Sequence, residues 1–162
     1  MPEAKTRKAV ARDKRQGKSA STQAGEFVHE EMEHVRKGKH GARSAKQAIA
    51  IGLSKARRAG VKAPVSKTAS KATRKKAAQD ETAFKHRRKT STTRSRATSG
   101  ALKKEGHAAA SHTALSKQAK SSARKRTSAS RSAAAKKAAR TKGAAGRSAA
   151  AKKAARTRKA HA

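Results

Sequence analysis

The chain has 162 residues, 45 of them Lys or Arg and nine Asp or Glu, for a formal charge of +36. It holds no Cys, Trp or Tyr and only two Phe, which excludes disulfides, thiolate metal sites, cysteine nucleophiles and an aromatic-rich core. No apolar run approaches the ~20 residues that span a bilayer. Most of the apolar content is Ala, so burial is expected to fall short of the entropy of ordering. The expected fold class is all-α where ordered: a short helical hairpin at about 24–60 within a largely disordered, Ala/Lys/Arg-rich chain that forms transient helices.

Residues 1–20 read as a basic N-terminal arm, with seven cations against two carboxylates. No apolar h-region follows the first basic residues, so no secretory signal is expected and the location expected is cytoplasmic.

Residues 21–60 gather the large apolar side chains and read as a helical hairpin domain. A first helix is predicted from about Ala24 to Lys37, because Val28, Met32 and Val35 recur at i, i+4, i+7 with Phe27 beside them. Glu26, Glu30 and Glu31 suit its N-terminal half, and Arg36 and Lys37 its C-terminal end. Gly38 stands where a C′ glycine stops a helix. The second helix starts at Ser44, whose spacing to Gln47 is that of a capping box. Ala45, Ala48, Ile49, Gly52, Leu53 and Ala56 form its apolar stripe, and Gly60 and Pro64 end it. The short link between the helices favours antiparallel neighbours. Two such helices bury little alone, which makes homodimerisation an expectation, with Ile51 off the stripe as a second contact.

The run His29-Glu30-Glu31-Met32-Glu33-His34 invites comparison with the HExxH zinc motif. That motif puts two His at i, i+4 on one helical face. Here they stand at i, i+5, and Glu33 occupies the position of the second His. The remaining histidines show no ligand spacing, so neither a metal nor a cofactor is expected. The glycines lack the spacing of a nucleotide loop, and no nucleophile has an organised base, so no enzyme is expected.

Residues 61–162 read as a low-complexity basic tail with 30 cations against three carboxylates. A brief helix is expected over Gln79 to Arg88, acidic at its start and basic at its end. Residues 131–141 recur at 147–157, offset by 16, with Gly143 and Gly146 between the copies. Alanine supplies helix propensity there, but repulsion among Lys136, Lys137 and Arg140, and among Lys152, Lys153 and Arg156, is expected to leave the free tail as coil or fraying helix, with more helix on binding phosphates.

The stretch from Ser19 to His34, with Lys37 to Gly60 and its Lys46-Gln-Ala-Ile-Ala-Ile-Gly-Leu-Ser-Lys-Ala-Arg57 helix, resembles a small bacterial domain family of unknown function. That likeness implies a domain boundary but no activity. The C-terminal repeats resemble the Ala/Lys-rich tails of bacterial histone H1-like nucleoid proteins. This second likeness implies a nucleoid DNA-binding role.

The charge itself points to a polyanion, because a +36 chain needs one to neutralise it. The expected function is sequence-nonspecific DNA binding by a non-enzymatic, histone-like nucleoid protein whose tail neutralises backbone phosphates. The candidate contacts are Lys39, Arg43, Lys46, Lys55, Arg57 and Arg58 in the hairpin, and Arg87, Arg88 and Lys89 in the middle of the chain. Further on they are Arg124, Lys125 and Arg126, then Lys136, Lys137, Arg140, Lys152, Lys153, Arg156, Arg158 and Lys159. Two rivals stay open on sequence alone. One is RNA binding, as in a ribosome-associated protein; the other is a protein-interaction hairpin with a localising polycationic tail.

Overall fold

Serines and glycines set the helix ends. Ser19, Ser44 and Ser70 accept the backbone N–H of Thr22, Gln47 and Thr73 through their hydroxyls, each satisfying a free donor of a first turn. Gln47 Oε1 completes the second of these caps by accepting the N–H of Arg43 at 2.9 Å, one residue ahead of the capping-box partner. At the other ends Gly38 (φ 71°) and Gly60 (φ 91°) take the left-handed conformation that side-chain-bearing residues avoid. Beyond them, the N–H of Lys39 reaches His34 O and that of Val61 reaches Ala56 O, both at 3.0 Å. These are Schellman closures.

The computed structural model describes residues 2–66, 69–86 and 91–160. In chain order its helices are α1 (Ala4–Arg15), α2 (Ala20–Arg36), α3 (Ala45–Arg58), α4 (Lys71–Lys85), α5 (Thr92–Lys103), α6 (His112–Arg124) and α7 (Ser128–Ala160). A 3-10 turn at Ala108–Ala110 precedes α6, and no strand occurs among the described residues. Contacts divide the chain into Met1–Gln118 and Ala119–Ala162.

In the first unit α2 and α3 form the expected antiparallel hairpin. The small residues Ala45, Ala48, Gly52 and Ala56 line the buried side of α3. They let the helices close until a Cβ on Gly52 would stand 2.7 Å from Val28 Cα. The core gathers at both ends of this seam. At the turn end lie Met32, Val35, Ala42, Ala48, Ala109 and Ala110, with Val28, Ile49 and Leu115 against them. At the open end lie Ala24, Phe27, Ala56, Val61 and Ala63, with Val10, Ala20 and Leu53.

Three further segments cover the hairpin. Helix α1 packs on α2, and α4 packs on α3. The segment around the 3-10 turn crosses the α2–α3 turn, where Gly41 and Ala42 donate to Leu102 O (2.9 Å) and Gly106 O (3.0 Å). Arg36 Nε donates to Ala110 O at 3.1 Å and ties the same segment to α2.

The expectation of a largely disordered chain with transient helices is therefore corrected: helices run through all three described stretches. Scarce large apolar side chains and a high net charge do not prevent folding here. Close packing of small residues needs few large side chains, because contact density rather than residue size supplies the dispersion gain. Four carboxylates (Asp13, Glu30, Glu31 and Asp80) are also buried at 5% exposure or less. These anions sit among cations that the net-charge argument had counted as mutually repulsive.

In the second unit α7 carries the repeats as helix, where coil or fraying helix is expected of the free tail. Gly143 (φ 64°, ψ 173°) breaks it, so one repeat lies on each side. Residues 128–160 contain 14 Ala, the strongest helix former, against 11 cations. Only five cation pairs stand at i, i+3 or i, i+4, and at ~0.2–0.5 kcal/mol each their repulsion totals about 1–2.5 kcal/mol. Side chains also cover carbonyls near the helix ends: Arg147 Nη1 donates to Ala139 O at 2.7 Å, and Arg158 Nε to Ala154 O at 3.4 Å.

The Gly52 contact gives a mutational contrast. Gly52→Val should cost about 1–3 kcal/mol, because the new atoms meet the α2 backbone. Gly25→Ala, in open space on α2, should instead stabilise by about 0.5–1 kcal/mol. Urea unfolding followed by circular dichroism measures both.

Candidate nucleic-acid interface

The carboxylates decide which cations are available to a partner. In the first unit Glu3 sits ahead of α1 and binds Lys39 Nζ at 2.6 Å and His34 Nε2 at 2.9 Å. The Lys39 hydrogen bond, joined by that of His34, pulls the Glu3 carboxyl down to about 2. Asp13 Oδ1 takes Lys18 Nζ at 2.7 Å. Glu31 pairs with Lys55 across the hairpin. Glu33 holds Arg36 at 3.1 Å and Lys37 at 3.6 Å, and the Arg36 hydrogen bond lowers its carboxyl. Asp80 joins α4 to α3 by accepting from Ser54 Oγ at 2.7 Å, while Lys76 pairs with it at 2.9 Å.

Two hairpin candidates are thereby engaged inside the fold: Lys39 with Glu3, and Lys55 with Glu31. A third, Arg57, is 8% exposed and donates from Nε to Ala63 O at 3.3 Å. Arg43, Lys46 and Arg58 are exposed. Arg87, Arg88 and Lys89 lie outside the described residues.

The second unit differs in having no carboxylate to pair with. Residues 119–162 carry 15 Lys and Arg and no Asp or Glu. All fifteen are exposed, including the candidates Arg124, Lys125, Arg126, Lys136, Lys137, Arg140, Lys152, Lys153, Arg156, Arg158 and Lys159. Arg126 bends back on the start of α7, its Nη2 donating to Ser130 O at 3.2 Å. On helical geometry Lys136, Lys137 and Arg140 share one side of the first half of α7, and Lys152, Lys153 and Arg156 one side of the second. Lys120, Arg131, Lys142 and Arg147 are equally exposed and were absent from the sequence-based set. Their signal was present in the composition, since Arg131 and Arg147 open the two repeats.

The fold and this surface define a helical, strongly basic protein with one unit that holds all nine carboxylates and one that holds none. Residues 15–67 match the family described as "Family of unknown function (DUF6496)", about a third of the chain that takes in α2 and α3. No curated protein and no solved structure matches the chain. No described helix is long and apolar enough to cross a membrane.

The division of cations can be tested by substitution. Lys55→Ala should lower stability by about 1–3 kcal/mol, because it leaves the buried Glu31 carboxylate short of its donor. Lys136→Ala should leave stability within about 0.5 kcal/mol, as for other exposed positions. Thermal unfolding of the two variants reads the difference directly.

Proposed function

We propose that the protein is a non-enzymatic, sequence-nonspecific DNA-binding protein of histone-like, nucleoid type. In this reading it neutralises backbone phosphates mainly through residues 119–160. One observation carries the proposal. Fifteen exposed cations stand in a segment with no acidic side chain to neutralise them. Solubility alone is served better by added carboxylates than by added Lys and Arg. The likeness of the repeats to histone H1-like nucleoid tails agrees with it.

The chemistry is counterion release. Each cation that meets a phosphate frees a condensed counterion, and that gain does not depend on base sequence. Each half of α7 runs roughly 22–26 Å at 1.5 Å per residue, or about seven base pairs of duplex. Residues 119–162 contain no Asn, Gln, Asp or Glu, so they offer no side-chain amide for adenine and no carboxylate for cytosine. The exposed hairpin cations Arg43, Lys46 and Arg58 add a smaller docking face.

The test is the salt dependence of binding to a duplex of about 30 base pairs. If half to all of the fifteen cations engage, log Kd against log salt should slope with a magnitude of about 7–13. Changing Lys136, Lys137, Arg140, Lys152, Lys153 and Arg156 to Gln together should remove about 5 from that slope. A slope below about 3, or one unmoved by the six changes, would refute the phosphate-arm reading. A structured RNA that outcompetes the duplex would transfer the same chemistry to RNA.

A further inference from the structure

We propose that Glu31, His34 and His40 form a Zn²⁺ site that staples the α2–α3 turn. One ligand atom from each of the three lies within 4.8 Å of the others. Glu31 and His34 are one helical turn apart on α2. His40 comes from the turn, so its approach is set by the fold rather than by helix spacing. The inference is independent of the DNA-binding reading.

The state of Glu31 is the first argument. Its side chain is fully buried. Oε2 is taken by the Lys55 ammonium, while Oε1 receives no hydrogen bond. A buried carboxylate oxygen without a donor costs free energy that a cation at that point would recover. Oε1 faces His40, whose Nε2 lies 3.1 Å away.

The tautomer of His40 is the second argument. His40 Nδ1 stands 3.0 Å from Gly41 O. A carbonyl only accepts, so Nδ1 carries the ring proton. With Nδ1 so engaged, Nε2 is the ring nitrogen left to face the carboxylate oxygen that has no hydrogen bond. Two acceptors at that distance need a positive charge between or upon them. Metal-bound histidines show this arrangement, one nitrogen on the ion and the other donating to a carbonyl or carboxylate. His34 Nε2 stands 2.9 Å from Glu3 Oε1, a carboxylate partner of the same kind should its Nδ1 take the ion. The two rings meet edge to face with centroids 5.9 Å apart.

Two imidazoles and one carboxylate suit Zn²⁺ rather than Mg²⁺ or Ca²⁺, which take all-oxygen shells. A tetrahedral zinc holds its ligands about 3.3–3.5 Å apart, so the three atoms would close by at most about 1.5 Å. His40 can supply that movement from the turn. Water would complete the fourth position. The ion would join α2 to the turn against which residues 102–106 are hydrogen-bonded. Small helical scaffolds commonly gain stability from such a metal staple.

The experiment uses the full chain, stripped with a chelator and titrated with Zn²⁺ by calorimetry. One ion per chain is expected, with a higher melting temperature. His40→Gln should weaken uptake at least tenfold and abolish the thermal gain, while His29→Gln, one turn away on α2, should match the parent. Co²⁺ in the unmodified chain provides a readout that needs no variant, because tetrahedral coordination gives an intense visible band and octahedral coordination a weak one. The proposal is overturned if the parent takes up no more Zn²⁺ than the His34→Gln/His40→Gln double variant. It is equally overturned if Co²⁺ shows only the weak band. Either result would leave His40 and Glu31 as a direct pair without a metal.

Discussion

The approach of α2 to α3 over Gly52 is the contact on which the first unit depends. A Cβ there would press on Val28 Cα and N and on Phe27 O, so the two backbones touch almost directly. Only that closeness allows alanines to act as core. It brings Ala48 and Ala56 to 0% exposure and buries Val35 and Phe27 against them. The same closeness places Lys55 of α3 on Glu31 of α2. A seam built from larger side chains would hold the helices farther apart and leave both the alanines and this pair short of partners.

Around that seam the chain uses its few anions economically. Glu3, Asp13, Glu31, Glu33 and Asp80 each hold at least one Lys or Arg. Several of these pairs join different segments: Glu3 to the α2–α3 turn, Glu31 to α3, and Asp80 to Ser54. A chain of +36 thus tolerates a packed first unit because its carboxylates are concentrated there. Residues 119–162 receive none of them. The charge is divided unevenly between the units: in the first, carboxylates hold a minority of the 30 Lys and Arg, and in the second all fifteen stand in a segment without an acidic side chain.

Much of this was legible locally. Ser44 and Gln47, Gly38, Gly60 and the stripe of small residues on α3 specify a helix start, two helix stops and a buried face through short-range chemistry. The start of α2 at Ala20, four residues before the sequence-based estimate, reflects the Ser19 cap, which is followed by only the small Ala20 and then by polar residues. The helicity of α7 was misjudged because repulsion was weighed without counting pairs. The cations cluster in short groups between alanine runs, so few of them are helix neighbours.

The sequence by itself determined the charge asymmetry, the stops of α2 and α3, the start of α3 and the small-residue seam, because each is written in composition or in spacings of four residues or fewer. The tertiary structure alone decided which cations are spent and which are free. Lys39 meets Glu3 across 36 positions and Lys55 meets Glu31 across 24. His40 faces Glu31 only because the turn folds back over α2. Side-chain periodicity reports which face a residue occupies, and it is silent on what the chain later brings to that face.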